Sequence, residues 1–209
     1  MIEATSSSAP ISTLATVFWR LFENEFATLD GIAISTRATG GMDYIDGSMA
    51  LRYLLLAEEP DPSSQPGDPL VHHVHLGLYA AAPAADTVVS GLSRHLRALL
   101  MEGMDLPAST SMLRNRGVTD LRDHLVAPGD LVGPRLAATL ARAVDAADQK
   151  GMKHVLVVTT DGMVFAAGSP PFETMAHWHN VEFAARVECM RIEEADVHRV
   201  RVEATLLDG

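Results

Sequence analysis

The chain is short of cysteine, aromatic residues and positive charge, and each shortage narrows what it can be. With one cysteine, Cys189, in 209 residues, an intramolecular disulfide framework is excluded. A chain of this length can bury most of its apolar surface in one core without a disulfide or a metal. Lys and Arg number 16 against 27 Asp and Glu, a formal net charge of -11. That sign repels phosphate backbones and anionic lipids, so neither nucleic acid nor a membrane is an expected partner. No apolar run approaches the roughly 18 residues of a membrane span. The first ten residues are polar and Ser-rich and lack the basic and apolar regions of a secretory signal. They are expected to form a flexible N-terminus ahead of a single domain over residues 11–209, in a reducing, cytoplasmic setting. No internal repeat is present. What remains, 47 % hydrophobic and 21 % charged residues, is ordinary for a globular protein.

Pattern therefore has to supply the fold class. Leu14, Val17, Phe18, Leu21 and Phe22 mark an amphipathic helix over 11–27. The β-branched run 31–37 reads as a strand, residues 44–56 as another strand or two, and the proline-rich stretch 58–69 as a surface loop. A helix is expected over 72–82, ended by Pro83, then a short strand over 87–89. Ser93 is placed to cap a helix that runs to Glu102. Residues 103–130 read as mostly irregular. Pro134 starts a helix that ends near Gly151. The runs 154–158 and 163–167, joined by Asp161-Gly162, read as a hairpin. Pro170-Pro171 opens a long helix with Trp178, Val181, Ala185, Cys189 and Ile192 on one face, and the weak alternation of 197–207 reads as a final strand. The result is an α/β domain with a mixed sheet covered by helices.

Several of these segments, in this order, resemble the class II aldolase/adducin family. His75-Leu-Gly-Leu-Tyr-Ala-Ala-Ala-Pro83 is similar to its His-x-x-x-Tyr-x-x-x-Pro helix, and Asp86-Thr-Val-Val89 to the strand that leads into its first metal motif. Val126-Ala-Pro-Gly129 matches the segment before the last third of that fold. The run 154–168 is similar to its strand, Asn-His-Gly turn and return strand, and Glu182-Phe-Ala-Ala-Arg186 to its Glu-x-x-Ala-Arg helix signature. Ile34-Ser-Thr-Arg37 is a weaker match. The resemblance implies a three-layer fold with a mixed, largely antiparallel sheet. It also implies a homo-oligomer, with a tetramer favoured.

The departures bear on function. Where the family has the two zinc histidines of His-x-His, this chain has Ser90 and Leu92; where it has the third, this chain has Asp161. Val71 stands at the catalytic glutamate and Ala33 at the asparagine of the phosphate loop. Serine and leucine cannot replace two imidazoles, so no metal and no cofactor is expected. The expected ligand is a small, non-phosphorylated carbonyl or carboxylate compound, handled by lyase, dehydratase, isomerase or cyclase chemistry. A non-catalytic binding or assembly protein, as in the adducin branch, is the alternative.

The candidate site residues are then His75, His95 and Asp161 for acid–base work, with Ser90, Leu92, Arg37 and His72 binding the ligand. His72 and His75 are three apart and share a helix face, so a relocated metal site there stays open. Asp161 is either an orienting group or simply the residue an Asp-Gly turn prefers. Arg37 is either a carboxylate clamp or a structural bridge. His177-Trp178-His179 reads as packing and Cys189 as a buried hydrophobe.

Overall fold

The computed structural model describes residues 32–38, 41–47, 49–50, 68–104 and 120–207, with single positions at 16, 113 and 118; residues 196–207 are described by backbone alone. The expected helix over 11–27, residues 51–56 and most of the 58–69 loop fall outside these. The strands are β1 (Ala33–Ala38), β2 (Gly41–Asp46), β3 (Thr87–Leu92), β4 (Leu125–Val126), β5 (Val155–Thr159) and β6 (Met163–Gly168). The helices are α1 (Pro69–Ala81), α2 (Arg94–Met101), α3 (Arg135–Gln149) and α4 (Pro171–Leu207).

The six strands form one sheet in the order β2-β1-β3-β6-β5-β4. Among the described strands only the β4–β5 pair is parallel; β1–β2, β1–β3, β3–β6 and β5–β6 are antiparallel. This is the mixed, largely antiparallel sheet the sequence implied. Helices cover both faces. Because side chains alternate along a strand, Ser90 and its neighbour Gly91 face opposite layers. On one side, Ser90 meets His75 of α1. On the other, Gly91 leaves room for the indole of Trp178 in α4, where an added Cβ would sit 2.9 Å from the ring. α1 packs on α3 through a second close approach, Gly77 against Leu136 and Leu140. α4 lies along α2, β6 and β3.

The element boundaries differ from expectation where local signals were subtle. α1 begins at Pro69 rather than His72, because Asp68 caps it: its Oδ1 accepts from Leu70 N at 2.8 Å and Val71 N at 3.3 Å. β3 runs to Leu92 rather than stopping at Val89, since Leu92 still pairs with Met163 across the sheet. Beyond β2, Met49 and Ala50 are helical rather than extended. The stretch Val197–Leu207 is the end of α4, not a strand. No Gly or Pro interrupts 172–207, and its Glu, Ala, Arg and Leu content favours continuing the helix over a weak alternation.

Trp178, Val181 and Ala185 are fully buried, as their spacing implied, while Cys189 and Ile192 are half-buried against the same core. The hairpin is a tight turn in which Gly162 N donates to Thr159 O at 2.9 Å and Gly162 has φ 91°. That left-handed backbone is why glycine follows Asp161. The turn docks on α2: Ser93 N donates to Gly162 O at 2.9 Å. A Cβ on Gly162 would lie 2.6 Å from Arg97 Cβ. Among the described residues no helix is long and apolar enough to cross a membrane.

Candidate functional site

Two polar clusters lie at the β3 segment that resembles the metal strand. The first is closed. His75 is fully buried, with Nδ1 2.8 Å from Ser35 Oγ and Nε2 2.8 Å from Ser90 Oγ. Ser35 Oγ is also 2.9 Å from Tyr79 Oη, and Ser90 Oγ donates to Ala33 O at 3.4 Å. One proton assignment satisfies the whole chain. Tyr79 donates to Ser35, Ser35 to Nδ1, Nε2–H to Ser90, and Ser90 to the Ala33 carbonyl. His75 is therefore neutral, and burial, aided by nearby His72, pushes its pKa down to about 3. Burial drives the Tyr79 phenol well above the usual tyrosine range. His72 and His75 do share a face, as their spacing implied: the Tyr44 ring meets them at 5.3 and 5.6 Å.

Arg37 is committed to backbone. Its guanidinium donates to Tyr79 O at 2.9 Å, Ala82 O at 3.4 Å and Ala85 O at 3.1 Å, and it lies over the Tyr79 ring. It thus ties together carbonyls at the end of α1 and in the turn that follows it. Asp161 is exposed at the hairpin tip and accepts from Thr159 Oγ1. Leu92 is half-buried at the end of β3.

The second cluster opens to solvent. Glu182 of α4 is fully buried, and its carboxylate accepts from Ser93 Oγ through Oε2 and from His95 Nδ1 through Oε1 at 2.5 Å. The His95 side chain keeps 35 % of its surface exposed. With Nδ1–H given to Glu182, Nε2 carries the lone pair, and no described group takes it. Burial raises the Glu182 pKa, opposed by the bonds from Ser93 and His95. A buried carboxylate that fixes the tautomer of a part-exposed imidazole is the wiring of a general base. Ser93 serves twice, since its Oγ also caps α2 by accepting from Leu96 N at 3.2 Å.

The structure thus brings His75 and Ser90 together in one cluster, with His72 at its edge. It puts His95 in another, beside the turn that carries Asp161. Sequence reasoning treated Ser93 only as a cap and Glu182 only as part of a helix signature. A signal for Glu182 was present: it lies between Trp178, Val181 and Ala185 on a buried helix face, where a carboxylate needs partners.

No family model matches the chain, and no curated protein does. Solved structures do. L-fuculose 1-phosphate aldolase aligns with TM-score 0.58 and 16 % identity over 90 % of this chain and 90 % of its own. A putative aldolase/epimerase/decarboxylase from Klebsiella pneumoniae aligns with TM-score 0.58 and 18 % identity, covering 84 % of this chain and 86 % of that one. A sugar-phosphate aldolase from Thermotoga maritima aligns with TM-score 0.54 and 15 % identity over 88 % and 94 %. The chain has the class II aldolase-like fold. Zinc, which that fold implies, does not fit the residues present. Ser90 Oγ is spent between His75 and Ala33, Leu92 has no donor atom, and both His75 nitrogens are occupied. Among the described residues, no three His, Cys, Asp or Glu side chains converge on a point where a metal could sit.

Proposed function

We propose that this chain is a metal-independent acid–base enzyme built on the class II aldolase-like fold. In this reading His95, oriented by Glu182, moves a proton on a small, non-phosphorylated carbonyl or carboxylate compound. The observation that carries it is the 2.5 Å contact between His95 Nδ1 and the buried Glu182 carboxylate, on a ring that remains open to solvent. The lone pair on Nε2 accepts a proton from a carbon next to a carbonyl, and the imidazolium formed is stabilised by Glu182. On this solvent-open ring the proton exchanges with water, and a proton from Nε2 is then delivered to carbon or to a leaving oxygen. Aldol cleavage, epimerisation and decarboxylation, the reactions in the neighbours' names, all pass through a carbanion beside a carbonyl. Leu92 and Asp161 border the ligand in this reading, with Leu92 favouring less hydroxylated compounds, while Ser90 stays within the closed His75 cluster.

A second reading, a non-catalytic binding or assembly protein, draws on the closed Ser35–His75–Ser90 cluster. There the positions that resemble the metal strand are filled by the chain's own hydrogen bonds. The two readings separate in a solvent-exchange assay. The protein is incubated in deuterated buffer with a chelator and a panel of small ketones, hydroxyketones and 2-oxo acids, and deuterium incorporation at carbon is followed by NMR. The enzyme reading expects incorporation into one compound class that persists with the chelator. No incorporation above buffer across the panel would favour the non-catalytic reading.

A further inference from the structure

His95 lies across one stripe of α4. Its Nδ1 is 2.5 Å from the Glu182 carboxylate, and its backbone carbonyl accepts from Cys189 Sγ at 3.7 Å. Glu182, Arg186 and Cys189 follow one another at i, i+4 and i+7, so they share a helix face, with about 5–6 Å between successive Cβ atoms. Arg186 therefore stands between the two residues that touch His95, one turn from Glu182. We infer that Arg186 is the carboxylate anchor of the His95 site, and that the substrate is a small 2-oxo acid anion. This rests on the acid–base reading of His95 and narrows its substrate class.

The commitments of the other arginines single it out. Arg122, Arg135 and Arg191 are paired with Asp120, Asp130 and Glu188. Arg37 is spent on backbone carbonyls, and Arg142 on Ala138 O and Thr139 Oγ1. Arg186 is exposed and makes no hydrogen bond or ion pair among the described residues. The acidic groups of the same stretch do not answer it: Glu182 accepts from Ser93 and His95, and Glu188 is held by Arg191. Arg94 and Arg97 of α2 are also without a partner among the described residues. Arg94 adjoins His95 and adds to the local positive field. Arg97, two residues on, does not share the His95 face and lies against the hairpin turn at Gly162. In a chain of net charge -11, a guanidinium left open beside an imidazole wired as a base is a place for a substrate anion.

A 2-oxo acid suits both groups. Its carboxylate matches the planar, two-point donation of the guanidinium, and the carbon on the far side of its carbonyl turns to Nε2 of His95. There the C–H bond breaks, the proton goes to Nε2, and the electron pair moves into the carbonyl to give an enolate. Reversal in deuterated water returns a deuteron to the same carbon.

The test gives the full chain pyruvate and pyruvamide, which has nearly the same shape and no charge, in deuterated buffer. The KM of pyruvamide should be at least about tenfold higher, a comparison that needs no variant. Arg186→Gln, at an exposed position, should raise the KM of pyruvate about tenfold or more, keep kcat within about threefold and leave pyruvamide unchanged. An arginine that only supported the fold would move both compounds alike. Arg97→Gln should change neither. Pyruvate affinity is also read by calorimetry, which needs no turnover. Saturable pyruvate binding that R186Q abolishes, with no exchange on either compound, would sink the proton-transfer reading of His95 and leave the anchor standing. Exchange with equal KM for the two compounds would keep that reading and overturn the anchor. Absence of saturable pyruvate binding, or binding that R186Q leaves unchanged or R97Q weakens as much, would overturn it as well.

Discussion

Lowering the pH from about 7 to about 4.5 is expected to remove roughly 3 kcal/mol of folding stability through His75 alone. The folded pKa of His75 is near 3, whereas a free imidazole in the unfolded chain titrates near 6.5. Between those values the unfolded state binds a proton that the folded state refuses. Stability therefore rises with pH across this window, by about 1.4 kcal/mol per unit, and is fully present only above about 6.5. His72, His124 and His179 are also lowered by burial and act in the same direction. The cause is structural: protonating His75 at Nδ1 would set a donor against the Ser35 hydroxyl that now donates to it, so the Tyr79–Ser35–His75 bonds would have to reverse or break. Urea unfolding at a series of pH values checks this, with His75→Gln as the control that flattens the slope. A wild-type stability unchanged between neutral and mildly acid pH, or a His75 ring signal that titrates near that of free histidine, would show that the cluster is not closed as described.

Glu182→Gln is expected to lower turnover in the exchange reaction by roughly 10²–10⁴-fold while leaving the fold in place. Glutamine has the shape of glutamate and can still accept from Ser93. It cannot stabilise an imidazolium, and its amide can reverse the tautomer that keeps Nε2 unprotonated. His95→Gln should lose a similar factor, and the double variant should be little worse than either single one, because the two side chains act as a unit. The effect should fall on turnover rather than on ligand affinity. Near-normal turnover in E182Q, or losses that multiply in the double variant, would mean that His95 and Glu182 are not a catalytic pair.

The architecture was largely legible because it rests on signals that sequence carries directly. The apolar runs of β5 and β6 on either side of Asp161-Gly162 read as a hairpin, and the spacing of Trp178, Val181 and Ala185 identified the buried face of α4. The end of α4 was misread as a strand because weak alternation is a poor guide in a segment with no helix breaker. The site was less legible. Ser35, Ser90 and His75 are far apart in sequence, and no local spacing announces that one imidazole will be bonded on both sides. Likewise His95 and Glu182 are 87 residues apart and meet only because α4 lies along α2. Among the sequence candidates, Arg37 turned out to be tied to the end of α1, which its position at the end of a strand could not reveal.

The most direct test of the account is the zinc content of the protein purified without chelators, read together with its exchange activity before and after exhaustive chelation. Hydrogen bonds among Ser35, His75 and Ser90 in place of metal ligation predict zinc far below stoichiometric and activity indifferent to the chelator. Stoichiometric zinc that survives dialysis, with activity that leaves and returns with the metal, would contradict it.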